Sequence, residues 1–534
     1  MKLKELQTWC MEKEWYGSQK FLAIFLFSFT FILSLILANV PYMDDYTRMD
    51  NGLGQWEYEG RPLTTLLVAL LNFNINPVYN IGPIPLIFGT LFFSYTVCYA
   101  TSKMELKKNL VNIMPFTLLA CNPFFIQNLS YQFDSIGNMF SVGCILLAFF
   151  YQSTSKIKTY VIQLLLLIAV SAFYQPTSNM YIAFFIANMI FQFKKTNDKV
   201  IRSIIYHGSL YLFSCIIYYI GCTLLFKYVY TDIAFRSEMI DFNLKSLLFS
   251  YTYSFNEFLD MCISFTNEKM FWLSIVAFVM LFVNIIYVLI KNYKNKEYSK
   301  KNIIILNLIL AFSPVIFIMT LWGPFILLKE LFFNPRDFPV IGVFFMIGAM
   351  SFYFVDKKGY LQATFIALIL CAVCGFSFVY GSALKRDYEY KSYVYDSMAM
   401  KLEDHKEDIK DKKIHMYGRA STSSFVRLAL VEHNFIYRLI YANNTNFFKA
   451  YSLGARNIPN IQGGFVLDNL DEWQMICDKK IKPMVANSNY DIFNFEDHVS
   501  IWFKRNPVFC DNYPLETDIY FSRKADVYES MKNN

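Results

Sequence analysis

Acidic and basic side chains are concentrated in one short segment of the chain. Its sequence, PYMDDYTRMDNGLGQWEYEGR, runs from Pro41 to Arg61 and carries seven charged residues in 21 positions. They are Asp44, Asp45, Arg48, Asp50, Glu57, Glu59 and Arg61. Carboxylates can accept a proton from a reacting group, and arginine offers permanently charged donors to an anion. Clustering of both types makes the segment a candidate for chemistry.

A structural interpretation of the same segment is equally open on the residues alone. Asp44 or Asp45 could cap a short helix, and Asp44 could pair with Arg48 four positions later. Against this, Trp56 and three tyrosines are interleaved with the charges, and aromatic rings are typical of segments anchored at a membrane surface. Carboxylates held at such a surface suit a reaction on a lipid-linked substrate.

The elements around this segment are those of a membrane protein. Of 534 residues, 55% are hydrophobic and only 17% charged, against the roughly 25% usual in soluble domains. Nearly all long apolar runs lie in residues 1–380, whereas residues 381–534 have the composition of a soluble domain. We therefore expect a polytopic α-helical membrane domain, with a first outer loop at 41–76, followed by a small C-terminal α/β or α+β domain.

Runs long enough to cross a bilayer number eleven in the sequence. Their limits are Phe21–Val40, Pro77–Ala100, Asn109–Gln127, Ile136–Gln152, Thr159–Tyr174, Thr177–Phe193, Ser203–Phe226, Met270–Ile290, Asn302–Leu321, Phe338–Val355 and Tyr360–Tyr380. The segment at 227–269 is amphipathic and is expected to lie on the membrane interface, with a tilted span as the alternative.

The distribution of Lys and Arg predicts the orientation. Before residue 381, one set of alternating loops holds twenty basic residues and the other holds eight. Because cytoplasmic loops retain Lys and Arg, we expect a cytoplasmic N-terminus and a C-terminal domain outside. The net charge of +7 therefore reflects topology, and no basic stripe indicates nucleic acid. None of the spans contains Asp, Glu, Lys or Arg, which disfavours ion-coupled transport.

Three motifs carry a resemblance to a known family. The run DDYTR-x3-G-x3-W-x3-GRPL follows the first span, and YQFDS at 131–135 and YQPTSN at 174–179 lie at the outer ends of later spans. Together they resemble the GtrII-like family of bacterial serotype-converting O-antigen glucosyltransferases. The resemblance implies a GT-C type enzyme of the inner membrane. It would move a sugar, usually glucose, from undecaprenyl phosphate to O-antigen on the periplasmic face.

That reaction suggests roles for particular residues. Asp44 and Asp45 are the candidate catalytic carboxylates; in an extended segment only one would face the substrate, and Asp44 is favoured as the base, with Asp45 holding Arg48 or a hydroxyl. Arg61 and Arg336 are candidates for the donor phosphate, with an ion pair of Arg336 to Asp337 or Glu330 as the alternative. The remaining candidate support residues are Arg48, Trp56, Asp134, Tyr174 and Gln175. Asp134 could instead be a helix N-cap.

Cofactors and alternative functions stay open. Asp44 and Asp134 could bind Mg²⁺ or Mn²⁺, but no dedicated metal site is evident. A non-enzymatic transporter or assembly partner for lipid-linked saccharides is the alternative from another class, and an O-antigen polymerase is an alternative enzyme. In the C-terminal domain, Cys477 and Cys510 could form a disulfide, and Tyr417, Trp473, Tyr490 and Trp502 could stack on sugars or form the core.

Overall fold

The structure is a computed structural model. It describes residues 11–104, 106–191, 197–229, 239–294, 300–329, 334–354, 359–417, 420–441, 453–458, 460–461, 470–478 and 480–504. Within them the membrane part contains α1 Gly17–Ala38, α2 Asp44–Asn51, α3 Pro62–Asn72, α4 Ile84–Lys103, α5 Leu110–Ile113, α6 Ile126–Ser130, α7 Ser135–Phe150, α8 Lys156–Phe173, α9 Asn179–Phe191, α10 Asn197–Val229, α11 Leu244–Phe265, α12 Lys269–Lys294, α13 Lys300–Met319 and α14 Ile341–Met350. Helix α15 is Tyr360–Asp404, and the C-terminal part adds α16 Ser424–Glu432, α17 Phe435–Tyr441, α18 Leu470–Cys477 and strands β1 Lys413–Tyr417, β2 Val485–Ala486, β3 Tyr490–Asn494 and β4 His498–Phe503.

Six helices in the described part of the chain are long and apolar enough to cross a membrane. They are Gly17–Ala38, Ile84–Lys103, Lys156–Phe173, Ile201–Cys222 within α10, Met270–Tyr287 within α12, and Tyr360–Asp404. Four further apolar helices are shorter. The helical membrane architecture predicted from composition is therefore confirmed, whereas eleven spans and their orientation stay predictions.

The third predicted span, Asn109–Gln127, is not one continuous helix. Residues 110–130 form α5, a 3-10 helix at Met114–Leu119 and α6. Pro115 and Pro123 lack the N–H that a helix needs, and the Asn122 side chain instead accepts the N–H groups of Phe124 and Phe125, each at 3.0 Å. The segment is almost entirely buried. Irregular backbone at membrane depth is tolerated where protein surrounds it in this way.

This broken segment joins the two ends of the bundle. Near its start, Asn109 donates to the Met11 carbonyl at 2.7 Å, next to the beginning of α1. Beyond its end, the Gln132 N–H donates to Asp45, just after the end of α1. We call the end formed by residues 39–61, 131–135 and 174–178 the loop end.

Helix α11 packs against Phe338 and Phe124 of the bundle. Ile240, just before it, donates its N–H to Leu327 O at 2.9 Å, and the ring of Phe258 in its middle is 5.3 Å from that of Phe338. At its end, Phe265 packs against Phe124 with ring centroids 5.2 Å apart. Its outward face exposes the apolar residues Leu244, Leu248 and Ile263. Helix α11 is not among the six helices that are long and apolar enough to cross a membrane, and its predicted position on the interface stays a prediction.

Helix α15 belongs to both parts of the protein. Its 45 residues extend about 67 Å at 1.5 Å per residue. Its first half, including Ile369 and Tyr380, packs in the core of the bundle, and Val394, Met398 and Leu402 pack in a second core with the strands. The helix runs without a break through the predicted boundary at 380/381, so both parts share a rigid element.

The C-terminal part has the predicted mixed α and β composition. Its four-stranded sheet has the order β1-β4-β3-β2, with β1 parallel to β4 and the other pairs antiparallel. Tyr417, Tyr490 and Trp502 are buried, so these three aromatics form core and do not present faces for sugars. Cys477 is disulfide-bonded; Cys510 lies outside the described residues, so the predicted pairing stays a prediction.

Two glycines of α15 provide a test of its packing. A Cβ at Gly381 would lie 2.7 Å from the Ser34 carbonyl of α1, whereas a Cβ at Gly375 would meet nothing within 4 Å. We expect Gly381→Ala to destabilise the protein by about 1–3 kcal/mol through overpacking, seen as a lower Tm in detergent. Gly375→Ala is the matched control and should leave the Tm unchanged or raise it, by up to about 1 kcal/mol of helix propensity. Equal effects would contradict the packing.

Candidate active site at the loop end

The two adjacent carboxylates of the first loop have different environments. Asp44 and Asp45 begin α2. The segment is therefore helical, and the expectation that an extended backbone turns the two side chains to opposite sides does not apply. Asp45 is fully buried and accepts the backbone N–H groups of Tyr42 at 2.9 Å, Gln132 at 2.8 Å and Phe133 at 3.4 Å. It thereby fastens the start of α2 to the turn before α7. Asp45 does not pair with Arg48 as predicted, because the Arg48 guanidinium lies near Asp134 and Asp44 instead.

Burial also changes the acidity of Asp45. It raises the pKa of its carboxyl to about 7, and the N–H bonds from Gln132 and Tyr42 work against that rise by favouring the ionised form. With its oxygens occupied by backbone donors, Asp45 is placed to hold the loop.

Asp44 is the more accessible of the pair. Its side chain is 38% exposed, and one carboxylate oxygen lies 3.9 Å from the Arg48 guanidinium. Partial burial raises the pKa of Asp44 above the ordinary aspartate value; Arg48 opposes the rise, while the negative charges of Glu59 and Asp134 add to it. Asp44 therefore combines access from outside with a raised affinity for a proton.

Asp134 lies beneath the loop and joins its two halves. It occupies the N-cap position of α7 but makes no capping hydrogen bond, so the simple N-cap interpretation is wrong. One oxygen accepts Trp56 Nε1 at 2.7 Å and lies 3.4 Å from Arg48 Nη1. The other lies 3.4 Å from Arg61 Nη1. A single buried carboxylate thus fixes two arginines and a tryptophan.

Three arginines of the site each stack on an aromatic ring. Arg48 lies 4.5 Å from the Trp56 ring centroid, Arg61 lies 4.9 Å from that of Tyr174, and Arg336 lies 5.1 Å from that of Tyr131. Stacking holds a guanidinium plane in place and leaves its edge N–H groups available for planar anions. Arg48 is 5% exposed, and its Nε and Nη1 have no hydrogen-bond acceptor among the described residues.

Arg61 is positioned by the residues around the GRPL motif. It precedes Pro62, the first residue of α3, and Pro at this position favours the start of a helix. Its Nε donates to Gln175 Oε1 at 3.3 Å, and Gln175 Nε2 donates to Glu59 O at 2.6 Å. Glu59 also lies 3.3 Å from Arg61. The predicted support residues Tyr174 and Gln175 therefore both contact Arg61.

Arg336 is held mainly through its backbone. It sits in a 3-10 helix, Pro335–Asp337, where its N–H donates to Gln127 Oε1 at 3.0 Å. Its carbonyl accepts Tyr174 OH and Asn128 Nδ2, each at 3.0 Å. The guanidinium donates to Tyr131 OH and lies 3.9 Å from Asp337. Glu330, the other predicted ion-pair partner, lies outside the described residues.

All nine residues singled out in the sequence thus meet at the loop end. No contact role was predicted from the sequence for Tyr42, Gln127, Asn128 and Tyr218, which hydrogen-bond to residues of the site. A signal did exist for Gln127 and Asn128, since they are amides at the end of an apolar run. Tyr218, whose OH donates to Gly60 O at 2.6 Å, lies within α10, and nothing in the sequence indicated that it contacts the site.

Metal binding stays a prediction. Within the described ranges no group of three or more His, Cys, Asp and Glu side chains could hold a metal ion. Of the two carboxylates considered, Asp134 faces two guanidinium groups, an arrangement that suits a charge-paired carboxylate better than a metal ligand.

The different environments of the two aspartates predict different effects on stability. Asp45→Asn removes an acceptor oxygen and the charge from three buried N–H bonds, so we expect a loss of about 2–3 kcal/mol. Asp44→Asn changes a partly exposed group with one long ion pair and should cost less than about 1 kcal/mol. Thermal unfolding of the two purified variants checks this, and an equal or reversed order would contradict the assignment of Asp45 as the buried anchor.

Comparison with known proteins agrees with the motifs. The family model of the glucosyl transferase GtrII matches residues 33–351, more than half of the chain. A protein of Salmonella phage P22, described as an uncharacterized 55.3 kDa protein in the gtrB 5' region, is 29% identical over 180 residues. That match covers 33% of this chain and 37% of the phage protein. No solved structure matches the chain. The predicted resemblance is confirmed, and the chain belongs to the GtrII glucosyl transferase family.

Proposed function

We propose that the protein transfers a sugar, glucose as the family name suggests, from undecaprenyl phosphate to O-antigen repeat units at the periplasmic face of the bacterial inner membrane. One observation carries the proposal. At one end of an apolar helical bundle, an accessible carboxylate with a raised pKa, Asp44, lies beside Arg48 in a cluster that holds three arginines stacked on aromatic rings. A base and an anion site together suit transfer from a lipid phosphate.

The orientation predicted from the Lys and Arg distribution agrees with this proposal. The loop end includes the ends of spans predicted to lie outside, and the C-terminal part follows α15 beyond this end. The apolar outward face of α11 suits the membrane interface beside it. A polyprenyl phosphate anchored in the outer leaflet would therefore present its phosphate at the height of the arginines.

The reaction we propose needs one proton acceptor. A hydroxyl of the acceptor sugar attacks the anomeric carbon of the donor, and its proton passes to the Asp44 carboxylate. A new C–O bond forms as the bond from the anomeric carbon to the phosphate oxygen breaks, and the electron pair leaves with polyprenyl phosphate. Attack from the face opposite the phosphate would invert the anomeric carbon.

The leaving phosphate gains negative charge during this step. Arg61 and Arg336 are the proposed phosphate ligands, and both are fixed by stacking and by hydrogen bonds before substrate arrives. Preorganised charge of this kind stabilises a transition state without reorganisation at the moment of reaction. Asp45 and Asp134 hold the loop and the arginines in place.

Removal of the proposed base tests the reaction directly. Purified protein is supplied with undecaprenyl phosphoglucose and isolated O-antigen, and the product is measured by mass. We expect Asp44→Asn to lower kcat by about 10²–10⁴-fold, the usual contribution of a general base. Asp50→Asn is the matched control, because Asp50 is an exposed carboxylate of the same helix. Full activity of Asp44→Asn would refute the mechanism, and a product lengthened by whole repeats would indicate a polymerase.

The pH dependence gives a second test. Since Asp44 must be ionised to accept a proton, activity falls as pH drops through its pKa, and the raised pKa places this acid limb above the ordinary aspartate range of about 3.9. Glu59→Gln removes a nearby negative charge that raises this pKa, so the limb of the kcat profile should move to lower pH. Glu57→Gln, which loses only a carboxylate bonded to Thr65, is the control and should not move it. A shift to higher pH in Glu59→Gln would contradict the assignment.

A further inference from the structure

The short helices α16 and α17 of the C-terminal part pack into the core of the membrane bundle. Phe435, Ile436 and Leu439 are fully buried and belong to the same hydrophobic cluster as α1, α4 and α7. The Phe435 ring lies 4.8 Å from Phe124 and 5.0 Å from Phe265. Sequence composition assigned these residues to a separate soluble domain, but their apolar side chains are part of the bundle.

Polar contacts fix the same helices to the end of α11. Glu268, which is 2% exposed, accepts the Nδ1–H of His433 at 2.7 Å. Arg438 donates its Nε–H to Ser264 Oγ at 3.0 Å. A buried carboxylate is costly unless it is paired, so the Glu268–His433 pair strongly favours this docked position over any in which the two residues separate.

Tyr42 connects α17 to the acidic loop. Its side chain is fully buried, its OH donates to Leu439 O, and its backbone N–H donates to Asp45 at 2.9 Å. Its ring meets that of Tyr131 edge-on at 4.9 Å. Because Tyr131 stacks with Arg336, Tyr42 touches the neighbours of both the proposed base and a proposed phosphate ligand.

Gln127 completes the connection. Its Nε2 donates to the Tyr42 OH at 3.0 Å, and its Oε1 accepts the Arg336 N–H at 3.0 Å. The path from Leu439 through Tyr42 and Gln127 to Arg336 consists of hydrogen bonds, of which the two made by the Tyr42 OH are buried and the one to Arg336 is partly buried. Any displacement of α17 would therefore leave buried polar groups unpaired, at a cost of about 1–3 kcal/mol each.

We infer that α17 of the C-terminal part is a positioning element of the active site, which sets the acidic loop and Arg336 through Tyr42. The role in catalysis rests on the proposed function, whereas the connection from Leu439 through Tyr42 and Gln127 to Arg336 does not. Tyr42, Glu268 and His433 are then positioning residues: they touch no substrate and act through Asp45 and Arg336.

The experiment compares Tyr42→Phe and Glu268→Gln with two controls of matched chemistry. Tyr393→Phe alters an exposed tyrosine of α15, and Asp404→Asn removes an exposed ion pair to Lys401. Hydrogen–deuterium exchange is followed in peptides covering 41–61. We expect both positioning variants to raise exchange there by about tenfold, as the loss of one buried hydrogen bond permits, and the controls to leave it unchanged. Unchanged exchange in 41–61 when Glu268→Gln loosens 424–441 would overturn the connection.

Enzymatic rates separate positioning from binding of the acceptor. A displaced loop and Arg336 should lower both donor hydrolysis without acceptor and sugar transfer, each by about tenfold, with the acceptor KM unchanged. If only the acceptor KM rises and donor hydrolysis is unaffected, α17 serves acceptor binding and the inference is wrong. A wild-type protein with neither activity would refute the proposed function, while the exchange result would still decide the connection.

Discussion

The carboxylate of Asp134 is the interaction on which the site depends. It is almost completely buried, and a buried charge persists only where counter-charges and hydrogen bonds surround it. Arg48 and Arg61 supply the charge and Trp56 supplies a hydrogen bond. These partners come from both ends of the first loop, so the cost of leaving Asp134 unpaired, about 3–5 kcal/mol for a buried pair, closes the loop over the start of α7.

Arginines and carboxylates lie close together in the site, and other contacts hold each of them in its own position. Each arginine stacks on an aromatic ring, which fixes the plane of its guanidinium independently of the carboxylates. Asp45 is occupied by backbone N–H groups, so it does not compete for the arginines. Asp44 is left partly exposed; its partial burial raises its pKa, Glu59 and Asp134 add to the rise, and Arg48 opposes it. The two carboxylates thus stand side by side in the sequence, yet one is a buried anchor and the other is partly exposed.

The bundle and the C-terminal part meet at this end of the molecule. Helix α15 contributes to both cores, and α17 returns to the membrane core beside the first loop. Helix α11 contacts α17 through its last residues. The loop end is therefore bordered both by the apolar bundle and by the C-terminal part.

Much of the architecture follows from the sequence by itself. Long uncharged apolar runs can only be satisfied as helices in a bilayer, and the family motifs place the charged loop directly after the first of them. The nine candidate residues were identified by type and motif because charged groups beside apolar runs are few. The mixed α and β character of the C-terminal part also followed from its sequence, whereas the order and pairing of its strands did not.

Tertiary structure decided which residue does what. Asp44 and Asp45 are neighbours of identical chemistry, and only the turn at Gln132 and Phe133, brought from 87 and 88 positions away, makes one of them an anchor. The break in residues 110–130 and the insertion of α17 also depend on neighbours far along the chain. Sequence determines the local apolar and charged pattern, but burial and hydrogen-bond partners arise from long-range packing, and these set the pKa and the role of each carboxylate.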